Sequence, residues 1–228
     1  MTGYLNAGEY LAWIERTLAE YPRMVVLRRQ AAVDPTNLAQ RGELGLSLMA
    51  LNIVLPARAE LGRMLDEVDK KTDRTEAERL VAARAAIAMM DSWLHSSRGD
   101  KIQDKMMFKT CKFVRDMDPE NKSGMLAAAA AFEAFSHLSV GKLDPAAEVA
   151  GKALKEFETG NRHDMLRFTY GSARSHLGRA KKDPVILEDG RATLKLVIEK
   201  HGTQRYWTQA QTFLENFQFD KPMPGSEK

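Results

Sequence analysis

Apolar positions recur along this chain at intervals of three and four residues, the spacing that lines one face of a helix. In "LAQRGELGLSLMALN", Leu44, Leu48 and Leu51 fall at i, i+4 and i+7. Leu61, Met64, Leu65 and Val68 repeat the spacing, and Leu80, Ala83, Ile87, Met90 and Leu94 carry it through a third segment. No sustained alternation of period two occurs, and no Asn-Gly or Asp-Gly hairpin joins two β-branched runs. The pattern predicts an all-α protein with helices over 6–20, 23–32, 36–51, 55–70, 75–95, 100–116, 122–140, 145–158, 163–178, 185–200 and 203–217. The tail "DKPMPGSEK" has two prolines and no apolar periodicity, so no element is predicted there.

Punctuation supports the division. Asp-Pro occurs at Asp34-Pro35, Asp118-Pro119, Asp144-Pro145 and Asp183-Pro184. An aspartate accepts from the orphan amides of a helix start, and proline's fixed φ and missing N–H suit the first helical position. Each pair therefore reads as a start signal. Asn52, "SSRGD", Gly141, "ETGNRHD", Gly178 and "KHG" read as stops.

Composition narrows the classes. With 228 residues, 44% apolar and 29% charged, the chain is long enough to bury roughly 70% of its unfolded surface and too apolar for disorder throughout. Its 34 basic and 31 acidic side chains give a net charge of +3, a balanced surface that argues against nucleic acid as a partner. A single cysteine, Cys111, permits no internal disulfide, and its apolar-periodic setting reads as a buried thiol. No 18-residue apolar run is present, so no membrane span is expected. The first 20 residues lack a signal-peptide core. A native start at Met1 implies the cytoplasm, whereas a fragment could derive from a periplasmic or exported protein.

"DPTNLAQRGELG" resembles the boundary and first helix of a tetratricopeptide repeat, with Asp34, Pro35, Asn37, Leu44 and Gly45 matching and Leu48 and Ala57 following in register. "GKLDPAAEVAGKAL" resembles the turn glycine and second helix of such a repeat, with small residues at Ala146 and Ala153. "DPENKSG" repeats the boundary, so the two Asp-Pro-x-Asn signatures begin 84 residues apart, room for two repeats of 42. Arg41 departs from the family, which usually has tryptophan there, and "RAKKDPVI" reads as an insertion after Gly178. The resemblance implies degenerate repeats over 34–201, preceded by a helix and linker over 1–33 and followed by a capping helix over 202–218 and a tail over 219–228. It implies a solenoid of about four antiparallel helix pairs plus end helices.

"GYLNAGEYLAWIERTL" resembles the glycine-aromatic turn and last helix of thioredoxin-fold proteins, with Tyr10, Leu11, Trp13, Ile14 and Leu18 as apolar positions. Several bacterial proteins of that type carry helical repeats behind a redox domain. Two readings stand: a remnant of a thioredoxin-like domain, or an end helix packed on the first repeat.

Candidate chemistry is sparse. His95, His137, His163, His176 and His201 form no paired metal-ligand motif. Asp91 and His95 lie one turn apart, a spacing that suits a surface pair better than a ligand set. Glu76 and Glu78 fit a first helical turn. Met89, Met90, Met106 and Met107 have the spacing of core filler. No catalytic residue, metal or cofactor is expected. The basic stretch "RSHLGRAKKD" reads either as an exposed interrepeat loop or as a contact for an acidic partner.

The repeat resemblance further implies a concave groove lined by the first helix of each pair. On 163–178, Leu166, Tyr170, Ala173 and Leu177 would share the packed face, leaving Met165, Phe168, Ser172, Ser175 and His176 towards the groove. Gly42, Leu46 and Met49 take similar places on 36–51. The implied function is non-catalytic binding of a peptide or protein partner. The alternative is the accessory region of a thioredoxin-fold oxidoreductase, presenting clients to a redox domain absent from this chain.

Overall fold

The computed structural model describes residues 7–96, 104–157, 162–199, 204–217 and 219. Among them are ten helices and no strand, so the fold is all-α. The helices are α1 (Ala7–Val33), α2 (Leu38–Ala50), α3 (Val54–Lys70), α4 (Glu76–Ser96), α5 (Asp104–Met117), α6 (Leu126–Ser139), α7 (Leu143–Glu156), α8 (His163–Lys181), α9 (Pro184–Glu199) and α10 (Gln204–Asn216). They fall into two compact units. The first comprises residues 1–102 and 113–123, the second 103–112 and 124–228, so α5 is divided between them.

In the first unit α2 packs on α1, α3 and α4. Its inner face is small because Gly45 lies under Leu61 and Gly42 under Val81; a Cβ there would come within 2.5 and 2.6 Å of those side chains. Leu61, Met64, Val68, Ala82, Ala83 and Ala86 fill the interior. Arg41 holds Glu60 at 2.7 Å and Glu67 at 2.9 Å. Glu43 collects both Arg23 and Arg84. Charge thus serves the packing of α2.

The start signals divide by mechanism. Asp183 accepts from the amides of Val185 and Ile186 at 2.9 and 3.1 Å, so Asp183-Pro184 caps α9 as expected. The other three pairs do not. Asp34 closes a turn by accepting from Thr36, and Asn37 caps α2 through the Gln40 amide. Asp118 accepts from the Lys122 and Ser123 amides, and α6 starts only at Leu126. Asp144 lies inside the first turn of α7 and pairs with Lys181. A short acceptor next to proline suits a tight turn as well as a helix start, so the dipeptide alone does not choose between them.

The break expected near Pro22 is absent: α1 runs unbroken through it. Proline removes one N–H from the ladder and crowds the preceding turn. Here it lies on the exposed side of α1, where water can satisfy the Leu18 carbonyl left without a helical donor. At the start of α4, Thr75 and Glu78 exchange hydrogen bonds, each amide donating to the other's side chain. This capping box accounts for Glu78, while Glu76 pairs with Lys122 at 2.6 Å. Burial pushes the Glu78 carboxyl up, but Lys71 and Thr75 together hold it below the usual value.

In the second unit α8 packs on α6, α7, α9 and α10. The α8–α9 contact is backbone on backbone. A Cβ on Gly190 would stand 2.5 Å from the Ser175 amide nitrogen and 2.7 Å from the Gly171 carbonyl oxygen, and one on Gly178 would overlap the Leu187 backbone. The alanine run of α6, Ala127–Ala131, is buried for the same reason of size. Cys111 is buried, as its setting predicts, as are Met89, Met90 and Met107, while Met106 is exposed.

Candidate functional site

A cleft of about 700 Å³ opens between α7 and α8 in the second unit. Its walls follow from helical spacing. Asp144, Ala147, Gly151 and Lys155 repeat at three- and four-residue steps along α7, and Tyr170, Arg174, Leu177 and Lys181 along α8. Its apolar lining is Ala147, Leu154 and Leu177; Ala147 and Leu177 belong to a buried cluster with Ala146 and Ala173, against which Leu138, Leu143 and Ile186 pack.

Gly151 sets the width. A Cβ there would lie 2.8 Å from the Tyr170 ring, so the ring rests on the α7 backbone. The Tyr170 hydroxyl donates to Asp189 at 3.0 Å, and Arg174 Nε donates to the same carboxylate oxygen at 2.7 Å. Burial, reinforced by the neighbouring Asp189, raises the Tyr170 pKa and keeps the phenol protonated. Both side chains are therefore anchored from α9 and offer fixed edges to the cleft.

The mouth is cationic. Lys152, Lys155, Arg174 and Lys181 face two acidic residues, Asp144 and Glu148. Lys181 pairs with Asp144 at 2.7 Å and Arg174 with Asp189. Lys152 and Lys155 make no ion pair among the described residues. The cleft can thus hold carboxylates by charge on two exposed lysines and accept an aliphatic or aromatic group on its apolar lining.

The expected groove residues of α8 lie outside this cleft; His176 is exposed and Phe168 half-buried. Met165, Ser172 and Ser175 are buried. Ser175 faces α9: its hydroxyl donates to the Gly171 carbonyl at 2.8 Å, beside Gly190. Phe168 meets the Tyr206 ring of α10 at 5.8 Å, and His176 meets Phe213 and Phe217 edge-on at 5.4 and 4.9 Å. Arg179 lies over Phe217, 4.2 Å from the ring centre. α10 packs along part of this side of α8, burying Tyr206 and Ala210 and leaving His176 exposed. In the first unit Gly42 is enclosed by Val81 and Met64, while Leu46 and Met49 are half-buried.

Of the other candidates, His163 contacts the Phe157 carbonyl at 2.6 Å, and Asp164 accepts from the Met165 amide at 2.8 Å. The Asp91–His95 pair and His201 lie outside the described side chains. Among the described residues no three His, Cys, Asp or Glu side chains converge as metal ligands. No helix there is long and apolar enough to cross a membrane. Of the basic stretch 174–183, Arg174 and Lys181 belong to the cleft, whereas Arg179 serves α10. Sequence reasoning missed Lys152, Lys155 and Gly151; the signal was their place on the same face of α7 as Asp144 and Glu148.

No protein-family model matches the chain, and no curated protein or solved structure matches it.

Proposed function

We propose that this chain is a non-catalytic protein-binding module whose α7–α8 cleft holds an acidic stretch of a partner protein. The observation that carries this reading is Lys152 and Lys155, exposed and without an ion pair among the described residues, at the mouth of a helical cleft whose apolar lining is Ala147, Leu154 and Leu177. A peptide laid there exchanges solvated carboxylates for charge-assisted contacts and covers Leu177 and Ala147 with its own side chains. The same proposal takes α6 to α9 as two antiparallel helix pairs of a tetratricopeptide-like solenoid, supported by the small residues at their contacts.

The test uses a fluorescein-labelled hexaglutamate peptide flanked by leucines, followed by anisotropy at low and high salt. We expect saturable binding that weakens with salt. Lys152→Glu together with Lys155→Glu should weaken it at least about tenfold, equivalent to about 1.4 kcal/mol. Absence of saturable binding, or equal binding by the double variant, overturns the placement.

A further inference from the structure

Helix α1 has two apolar faces, and only one is covered. Met24 is buried against α2, and on the same side Glu20 accepts from the Ser47 hydroxyl at 2.8 Å while Arg23 reaches Glu43 at 2.7 Å. The opposite side carries Leu11, Ile14, Leu18, Tyr21 and Val25, at steps of three, four, three and four. That is the 3.5-residue period of a seam that pairs with another helix, not the wider stripe that packs on a globular core. Tyr10, stacked on Trp13 at 6.0 Å, flanks it.

Among the described residues Ile14 and Val25 are half-buried and the rest of the seam is open. Tyr10, Leu11, Leu18 and Tyr21 leave 52%, 59%, 70% and 57% of their surface accessible. At the usual size of aromatic and leucine side chains this offers roughly 500 Å² per copy, about 1,000 Å² in a pair, near the lower limit of a specific interface.

We infer that the occupant is a second copy of this chain, its α1 lying against the first in the opposite direction. The first four positions, Leu11, Ile14, Leu18 and Tyr21, follow steps of three, four and three and so read alike from either end. Inverted about the centre of these four, Leu11 meets Tyr21 of the second copy and Ile14 meets Leu18, giving four apolar layers. No charged side chain occupies any of these layers. A surface complementary to itself under a two-fold axis is what a symmetric dimer requires. An interface of this size belongs with weak, transient associations, so the dimer is expected to form at micromolar concentrations.

Sedimentation equilibrium of the full chain from roughly 1 to roughly 200 µM tests this. The mass should rise from 25.6 kDa towards twice that value. Leu18→Glu should hold it at one chain throughout, with unchanged circular dichroism because Leu18 is exposed. Leu55→Glu, which charges an equally exposed leucine on α3, should leave the dimer intact. A wild-type chain monomeric at every concentration overturns the proposal and leaves the seam to a different occupant, such as a thioredoxin-like domain. A dimer that survives Leu18→Glu, or that Leu55→Glu also abolishes, overturns it as well.

Discussion

At Gly45 the backbone of α2 approaches the end of a leucine side chain, whereas at Gly178 and Gly190 the backbones of α8 and α9 meet each other. Both contacts need a residue without a side chain, but they differ in what could yield. Leu61 can rotate or shift its methyl groups. A peptide nitrogen of α8 moves only if the helix moves. Close packing in the first unit thus rests on side chains that can readjust, and in the second on helix axes held at a fixed distance.

The largest effect that would sharpen this contrast is expected from Gly190→Ala. The new methyl has to part α8 from α9, at a cost of about 3 kcal/mol or more, and melting should fall by roughly 10 °C. Gly45→Ala meets a flexible side chain and also gains about 1 kcal/mol of helix propensity, so its net cost should be about 1 kcal/mol. Thermal unfolding followed by circular dichroism measures both, and equal losses would break the comparison.

Acid should separate the units next. Burial, with Arg179 adding repulsion, lowers the His176 pKa in the folded state, so the unfolded chain binds the proton better. The stability this group confers is present above its ordinary value of 6.5 and declines as pH falls below it. The folded Glu78 carboxyl is also depressed, but its contribution is complete above 4.5 and declines only as pH falls further. Trp207 on α10 is the one tryptophan in the residues of the second unit, beside Trp13 and Trp93 of the first. In a Trp13→Phe, Trp93→Phe background its emission should shift between pH 6.5 and 5. A shift confined below pH 4.5 would refute the assignment to His176.

The smallest effect belongs to Lys152→Glu with Lys155→Glu. Both side chains are exposed, and stability should change by no more than about 0.5 kcal/mol while peptide binding weakens at least about tenfold.

The helical character was legible because Leu61, Met64 and Val68, or Leu80, Ala83 and Ile87, keep one face over several turns and all carry it into the helices observed. The capping of α9 was legible because Asp183-Pro184 combines an acceptor and a pre-formed φ at the right positions. Two features were not. Pro22 gives the same local signal whether its lost hydrogen bond faces protein or water, so continuity of α1 depends on where the helix lies. The open side of α8 depends on α10, about thirty residues later, and no pattern within 163–178 registers the arrival of Tyr206 and Phe213. The cleft was half visible: the cations of α8 form a run in sequence, whereas those of α7 are interleaved with glutamates and alanines.

The division of α5 carries a lesson for how the chain is made. Residues 103–112 count with the second unit, yet they leave the ribosome before 113–123, which complete the first. The first unit therefore lacks Val114 and Met117, both buried, and the Asp118 turn until after part of its neighbour has been synthesised. Neither unit is a single cut of the gene. Truncation at 102 would strip the first of its closing residues, and a start at 124 would strip the second of Met107 and Phe108, whose partners are Ser136 and His137.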